Sequence, residues 1–393
     1  MTKEIIYFDN NATTKVAPEV LEAMLPFYTE QYGNPSSMHS FGGDVMSRVK
    51  KAREQVAALF NCSPDEVVFT ASGSEGDNHA IKGTLDAYPD KRHIITTRVE
   101  HPAVLGTCQN FSRKGYRVTL VGVDRKGRLD MQQLRDSISD DTAIVSVMYA
   151  NNETGNVYPV AEIGELCREK GVVFHVDAVQ APGKLPLDIT RIPADMVTIS
   201  GHKLHAPKGI GAQYIRRGTR VRSLVTGGHQ ESGRRAGTEN VPYIIGLGLA
   251  CELAMNAMGE EHTRVKAMRD RLEKGLLAGI PNAGVNGDPE NRLPNTTNLS
   301  FEFIEGEAIL LLLDQHGICA SSGSACSSGS LEPSHVLRAM GVPFTRVHGS
   351  IRLSLSRFTT DAEVDKVLEV FPKVVNRLLG ISPYNASRPP VVG

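Results

Sequence analysis

The sequence predicts an α/β fold: a large domain with a mostly parallel sheet flanked by helices, then a smaller α+β C-terminal domain. Three observations lead there. From residue 66 onward, short β-branched apolar runs alternate with amphipathic helical stretches. Several of these runs, TAIVSVMY among them, are apolar at consecutive positions, as strands covered on both faces require. After about residue 255 the rhythm changes to isolated strands separated by helices and loops.

The candidate strands of the large sheet are EVVFT (66–70), HIITT (93–97), RVTLVGV (117–123), TAIVSVMY (142–149), VVFHVDA (172–178), DMVTIS (195–200) and GAQYI (211–215). Helical stretches lie between many of them, for example VAEIGELCREKG, which Gly171 closes as a C-cap. In such sheets ligands bind beyond the carboxyl ends of the strands. Past residue 255 a charged helix, EEHTRVKAMRDRLEKGLLAG, leads into a Pro/Asn/Gly-rich loop at 281–297. Strand TNLSF, helix GEAILLLLDQHG, strand ICA, helix PSHVLRAMG, strand SIRLSL and helix TDAEVDKVLEVFPKVVNRLLG follow. The Pro-rich tail, 381–393, reads as flexible.

Composition excludes several classes. With 43 Lys+Arg against 44 Asp+Glu, the net charge of -1 gives no reason to expect nucleic acid or an anionic membrane as partner. The early apolar run IIYF is too short for a signal peptide, and YIIGLGLACELAMNAM is interrupted by Glu252 and falls short of a membrane span. The expected location is the cytoplasm. Six cysteines in 393 residues do not make a disulfide framework, and without CxxC or HExxH no resident metal is expected.

Two stretches carry the chemistry. In TISGHKLHAPKGIG a buried strand ends at Ser200, and Gly201, His202 and Lys203 follow. An isolated lysine there is ordinarily a solvated loop residue. Alternatively it is a Schiff-base lysine for pyridoxal phosphate, which further requires a carboxylate for the ring nitrogen, a phosphate cradle and a stacking group. Asp177, at the end of VVFHVDA, supplies the carboxylate, or else caps the next helix. Gln180 stands three residues on, within reach of the ring's phenolic oxygen. TASGSEGDNHAIKG turns at Gly73 and Ser74 into a helix whose N-terminus suits a phosphate. A capping box of Ser72 with Glu75 explains the same letters. His101, before Pro102, either stacks on the ring or caps a helix. The second stretch is SSGSACSSGS, 321–330, which cannot bury apolar surface and yet carries the thiol of Cys326.

The order of these pieces, Gly-rich turn, His101, Asn152, Asp177-x-x-Gln180 and Ser200-Gly-His-Lys203, resembles that of the NifS-type cysteine desulfurases, a family of fold-type-I pyridoxal-phosphate enzymes. The resemblance runs from YFDNNATT through YGNPSSMHSFG, NNETG, HVDAVQ, SGHKLHAPKGIG, GRRAGTENVP and SSGSACSSGS to SIRLSLSRFTT, nearly the whole chain. It implies a large cofactor-binding domain over 15–255 and a small domain of 1–14 with 256–380 that carries the cysteine loop. It implies that Lys203 binds pyridoxal 5'-phosphate covalently, that Asp177 and Gln180 hold the ring, and that His101 stacks on it and shuttles protons. Gly73, Ser74, Ser200, Gly201 and His202 would hold the phosphate, with Thr238 reaching over from a second subunit of a homodimer. Asn152 would lie beside the cofactor, Arg352 would bind the substrate carboxylate, and Cys326 would take the sulfur. Two positions depart from the family pattern: Ser74 replaces a common threonine, and His229 replaces a common glycine.

The implied reaction converts L-cysteine to L-alanine and leaves a persulfide on Cys326 for an iron–sulfur scaffold protein, where Cys326 would at most transiently share a cluster. Within the family the nitrogen-fixation branch is favoured over a housekeeping iron–sulfur or selenocysteine-lyase-type enzyme. Outside it, an aminotransferase would need Lys203 and Asp177 but not Cys326, and a non-catalytic scaffold would not need Lys203. The remaining cysteines, Cys62, Cys108, Cys167, Cys251 and Cys319, read as incidental or buried.

Overall fold

The computed structural model describes residues 5–322 and 333–385. A short strand β1 (Ile6–Tyr7) comes first. The seven strands expected between 66 and 215 follow, each within two residues of its expected ends: β2 (Val67–Thr70), β3 (His93–Thr97), β4 (Arg117–Val121), β5 (Thr142–Met148), β6 (Val173–Asp177), β7 (Met196–Ser200) and β8 (Gly211–Ile215). They form one sheet in the order β2-β8-β7-β6-β5-β3-β4. The pairs from β7 through β4 are parallel, whereas β8 runs antiparallel to both β7 and β2. Only residues 201–210 separate β7 from β8, and a parallel crossover needs a dozen or more. The chain therefore turns back and leaves β7 with its carboxyl end open. Strands β2, β3, β5, β6 and β7 all end on that same edge.

A second layer of structure involves both chain ends. Strands β9 (Gly284–Val285), β10 (Thr296–Ser300) and β12 (Ser350–Ser354) make an antiparallel sheet with β10 in the centre, and β1 pairs in parallel with β11 (Ile318–Cys319). Phe8, Leu272, Leu299, Leu313, Ile351 and Phe371 share one buried apolar cluster there. The N-terminal segment is thus packed with the C-terminal third, and Asp9 bridges Ser354 beside β12.

Three features differ from the sequence reading or were absent from it. The helices Pro18–Met24, Pro26–Thr29 and Ser40–Phe60 precede the first element that the hydrophobic pattern identified. The expected break near residue 255 is not one in the backbone. Helix runs continuously from Val241 to Gly279, with a π-helical turn at Glu261–Val265. Composition changes along it because the surroundings change. Its first half lies against helix Ser40–Phe60, where a Cβ on Gly248 would sit 2.6 Å from Ala52 Cα. Its second half offers Met268, Leu272 and Leu276 to the other cluster. Finally, Val336, Leu337 and Met340, of the segment that the sequence assigns to the smaller domain, pack in the large-sheet cluster.

Candidate active site

The open edge of the large sheet holds a cavity of about 290 Å³. Lys203 reaches it from a single 3-10 turn, Gly201–Lys203, directly after β7. Its ammonium donates to the backbone carbonyls of Asn11 at 2.6 Å and Ala12 at 2.7 Å. Gln180 Nε2 donates to the same Asn11 carbonyl at 3.0 Å. The N-terminal segment therefore holds two of the expected cofactor residues. Nothing in the sequence signals this, because a backbone carbonyl has no letter of its own.

Asp177 closes β6 and lines the cavity. Its Oδ1 accepts from Val179 N–H at 2.9 Å, and a turn rather than a helix follows, so it caps no helix. Burial raises its carboxyl above the ordinary range, opposed by His101, the Val179 N–H and Lys203. His101 caps helix Pro102–Arg113, its Nδ1 accepting from Ala103 N–H at 3.1 Å, and it also lines the cavity. With Nδ1 as acceptor, the neutral ring carries its proton on Nε2. Burial holds this histidine below its ordinary pKa, which favours that neutral form.

The helix cap leaves room for a phosphate beside it. Ser72 Oγ accepts from Glu75 N–H at 3.1 Å, while Glu75 Oε2 takes Ala71 N–H at 2.8 Å instead of closing a box on Ser72. At Gly73 and Ser74, both in the cavity wall, the N–H groups have no acceptor within the helix. A Cβ on Gly73 would lie 2.7 Å from Val179 Cγ2 and 3.3 Å from Ser200 Cβ. Only glycine keeps that space clear beside Ser200, which also lines the cavity. His202 is there as well, Nδ1 3.2 Å from Thr13 Oγ1, and burial followed by the Lys203 charge pushes it down to about 4. Gly201 does not line the cavity; its N–H donates to the Ile210 carbonyl at 2.9 Å and it serves the turn that sets Lys203.

Arg352 arrives from β12, 2% exposed. Its fork donates to the Asn152 carbonyl at 2.9 Å and to Asp9 Oδ1 at 2.6 Å, while its buried Nε–H has no partner among the described residues. Asn152 lines the cavity beside it. Thr238 is exposed and does not line this cavity, His229 is exposed, and Cys326 lies outside the described residues. The chain on either side of 323–332 is tied to the site. Ser321 exchanges backbone hydrogen bonds with Arg352, and His335 Nε2 lies 2.9 Å from the Glu100 carbonyl.

These residues fit pyridoxal phosphate. Gly73 leaves a clear cradle under unpaired N–H groups, Asp177 offers a carboxylate, and Lys203 an amine. Gln180 Oε1 is buried in the cavity wall without a partner.

The profile of the family described as "Aminotransferase class-V" matches residues 6–367. The chain is 60% identical over 380 residues to a cysteine desulfurase of Trichormus azollae, covering 97% of this chain and 95% of that protein. It is 55% identical over 387 residues to the cysteine desulfurase NifS of Azotobacter vinelandii, covering 98% and 96%. A solved structure titled "NIFS-LIKE PROTEIN" superposes with a TM-score of 0.90 at 39% identity, over 95% of this chain and 100% of that one. Enzymes of this kind use pyridoxal phosphate, the cofactor that the cavity fits. With a family match over nearly its whole length and relatives at these identities, the chain belongs to the class-V aminotransferase family and, within it, to the NifS-type cysteine desulfurases.

Proposed function

We propose that this pyridoxal-phosphate enzyme takes L-cysteine to L-alanine, holds the sulfur as a persulfide on Cys326, and delivers it to an iron–sulfur scaffold protein. The observation that carries the reading is the meeting of Lys203, Asp177, His101, Arg352 and Gly73 in one cavity, from five separate segments. The 55% identity to the cysteine desulfurase NifS of Azotobacter vinelandii supports the nitrogen-fixation branch.

The bound cofactor supplies an electron sink at the substrate's α-carbon. The chain's own residues do the rest. Arg352, held by Asp9 and the Asn152 carbonyl, would present its guanidinium to the substrate carboxylate from the cavity wall. Asp177 would face the ring nitrogen and favour its protonated form. Lys203 would hold the cofactor, and its Nζ would take the Cα proton and later help return one. The Cys326 sulfur bonds to the substrate sulfur as the Cβ–S bond breaks. The sum is L-cysteine plus the Cys326 thiol giving L-alanine plus the Cys326 persulfide, with no outside oxidant or reductant. A free thiol ionises near pH ~8.5, so a neighbour must take its proton. His101 can do so only by exchanging its Nε2 proton or giving up its helix cap.

A homodimer belongs to the same proposal. Thr238 is exposed and away from its own chain's cavity, so it serves a cofactor only across a subunit contact. Leu21, Leu25, Tyr28 and Tyr32, on and beside the N-terminal helices, expose the apolar surface that such a contact needs. The division into a large domain over 15–255 and a small one of 1–14 with 256–380 is supported by the separation of the C-terminal apolar cluster from those of the large sheet, apart from Leu293, Val336, Leu337, Met340 and Val347, which pack with the large sheet. A cytoplasmic location suits a reactive thiol. The test of function is to supply L-cysteine with a reductant and measure alanine and sulfide. Equal amounts are expected from the parent, and neither from Cys326→Ser. Transfer of the amino group to an added keto acid would instead favour an aminotransferase.

A further inference from the structure

Asp177 is not the only acid in the cavity wall. Asp77, on the second turn of helix Gly73–Ala87, lines the same cavity and is 1% exposed. Its Oδ1 is buried with no hydrogen-bond partner within 3.5 Å among the described residues. His175, two residues before Asp177 on β6, places Nε2 3.6 Å from that oxygen. Both of its ring nitrogens already engage hydroxyls, Ser146 Oγ and Thr198 Oγ1, each at 2.9 Å. Burial, followed by His79, pushes the His175 ring down to about 3, so it is neutral and supplies no counter-charge. Among the described residues, the groups that face Asp77 are therefore the neutral His175, the uncharged Thr198 hydroxyl on β7, and two more acids, Asp177 on β6 and Glu100 just past β3.

Two carboxyls buried in one site do not both ionise. Their partners decide which one keeps the charge. Asp177 accepts the Val179 N–H and has His101 and Lys203 close enough to favour its anion. Asp77 has no such donor at Oδ1 and no cation beside it. Burial raises its pKa well above the ordinary range and the neighbouring acids, Asp177 first, act in the same direction, opposed only by a hydrogen bond from the Thr198 hydroxyl.

We propose that Asp77 carries a proton at neutral pH and serves as a buried neutral acid, leaving Asp177 the single carboxylate that faces the cofactor's ring nitrogen. The role toward the ring rests on the pyridoxal-phosphate reading; the protonation of Asp77 does not. An ionised Asp77 would set a second negative charge beside Asp177 and draw the proton balance away from the ring nitrogen. Asp77 is a positioning residue, because it acts through Asp177.

The experiment compares the purified holoenzyme with Asp77→Asn, which is neutral and of similar size. At pH 7 the infrared difference between the two should show the C=O stretch of a protonated carboxyl and no carboxylate band. The visible cofactor band should keep its position and its pH midpoint in Asp77→Asn, while Asp77→Glu, which pushes the acid toward Asp177, should move the midpoint. A carboxylate band in the difference, or a midpoint displaced in Asp77→Asn, would overturn the proposal. A reading independent of any variant comes from the parent with ¹³C-carboxyl aspartate: one protonated aspartate signal should persist to pH 7, and none persisting would also overturn it. A colourless protein that still shows the protonated aspartate would sink the cofactor reading and leave the protonation standing.

Discussion

Arg352 and Asp9 form an ion pair, guanidinium NH2 to Oδ1 at 2.6 Å, where the N-terminal segment runs beside β12. A guanidinium that is 2% exposed requires a counter-charge. Asp9 provides it, and the Asn152 carbonyl fixes the other arm of the fork. The planar group is thereby oriented before any substrate arrives, with its Nε–H left over.

A lysine cannot reproduce that fork. Arg352→Lys should weaken L-cysteine binding by about 1.5–3 kcal/mol, the scale of hydrogen bonds to charged groups. The visible cofactor band should be unchanged. Steady-state KM is the measurement. An unaltered KM would place the substrate carboxylate elsewhere, with Arg357, whose Nε is also buried without a partner, as the next candidate.

His101 has two duties, and one substitution separates them. Asn is a strong N-cap residue, so His101→Asn keeps an acceptor for Ala103 N–H and should fold normally. It removes the ring, and with it the stacking surface and the Nε2 proton. Alanine formation should fall by about 10²-fold or more, the usual contribution of a positioned acid or base. A variant at the parent rate would reduce His101 to a helix cap.

Glu100 gives a pH signature. Its Oε1 accepts from Thr97 Oγ1 at 2.7 Å and Met148 N–H at 3.0 Å, and burial pushes the carboxyl up to about 8 from 4.5. A pKa raised on folding contributes stability that is full below the unfolded value and is lost as pH rises through the folded one. Parent stability should therefore carry a loss between about pH 4.5 and 8 that Glu100→Gln lacks. Urea unfolding at several pH values reads this directly. Parallel curves for the two proteins would mean that Glu100 is ionised throughout.

The position of Thr238 makes a claim about assembly. Mixed dimers of Lys203→Ala and Thr238→Val chains contain one site in which neither substitution falls, if Thr238 crosses between subunits. Such dimers should recover activity that neither homodimer has. Verified heterodimers without recovery would return Thr238 to its own chain or to a structural role.

The strands between 66 and 215 were legible because each is a compact apolar run, and the residues at their ends were legible because chemistry there needs particular letters. Asp177, Gln180 and Lys203 stand at such places. The rest escaped for physical reasons. The Asn11 and Ala12 carbonyls that hold Lys203 act through backbone, and they meet it across about half the chain. Asp77 sits mid-helix, where an acid ordinarily faces water, and only the packing of that helix on the sheet reveals its burial. Helix Val241–Gly279 crosses from one apolar cluster to the other, so its composition changes while its backbone does not.

The central claim is that sulfur leaves L-cysteine onto Cys326. One measurement addresses it: mix the protein with one equivalent of L-cysteine without reductant, quench, and weigh the peptide that contains Cys326 by mass spectrometry while counting alanine. The account predicts one alanine per active site and a Cys326 peptide heavier by one sulfur atom, with Cys326→Ser giving neither. Alanine formed at the parent yield by Cys326→Ser, or the added sulfur found on another cysteine, would contradict it.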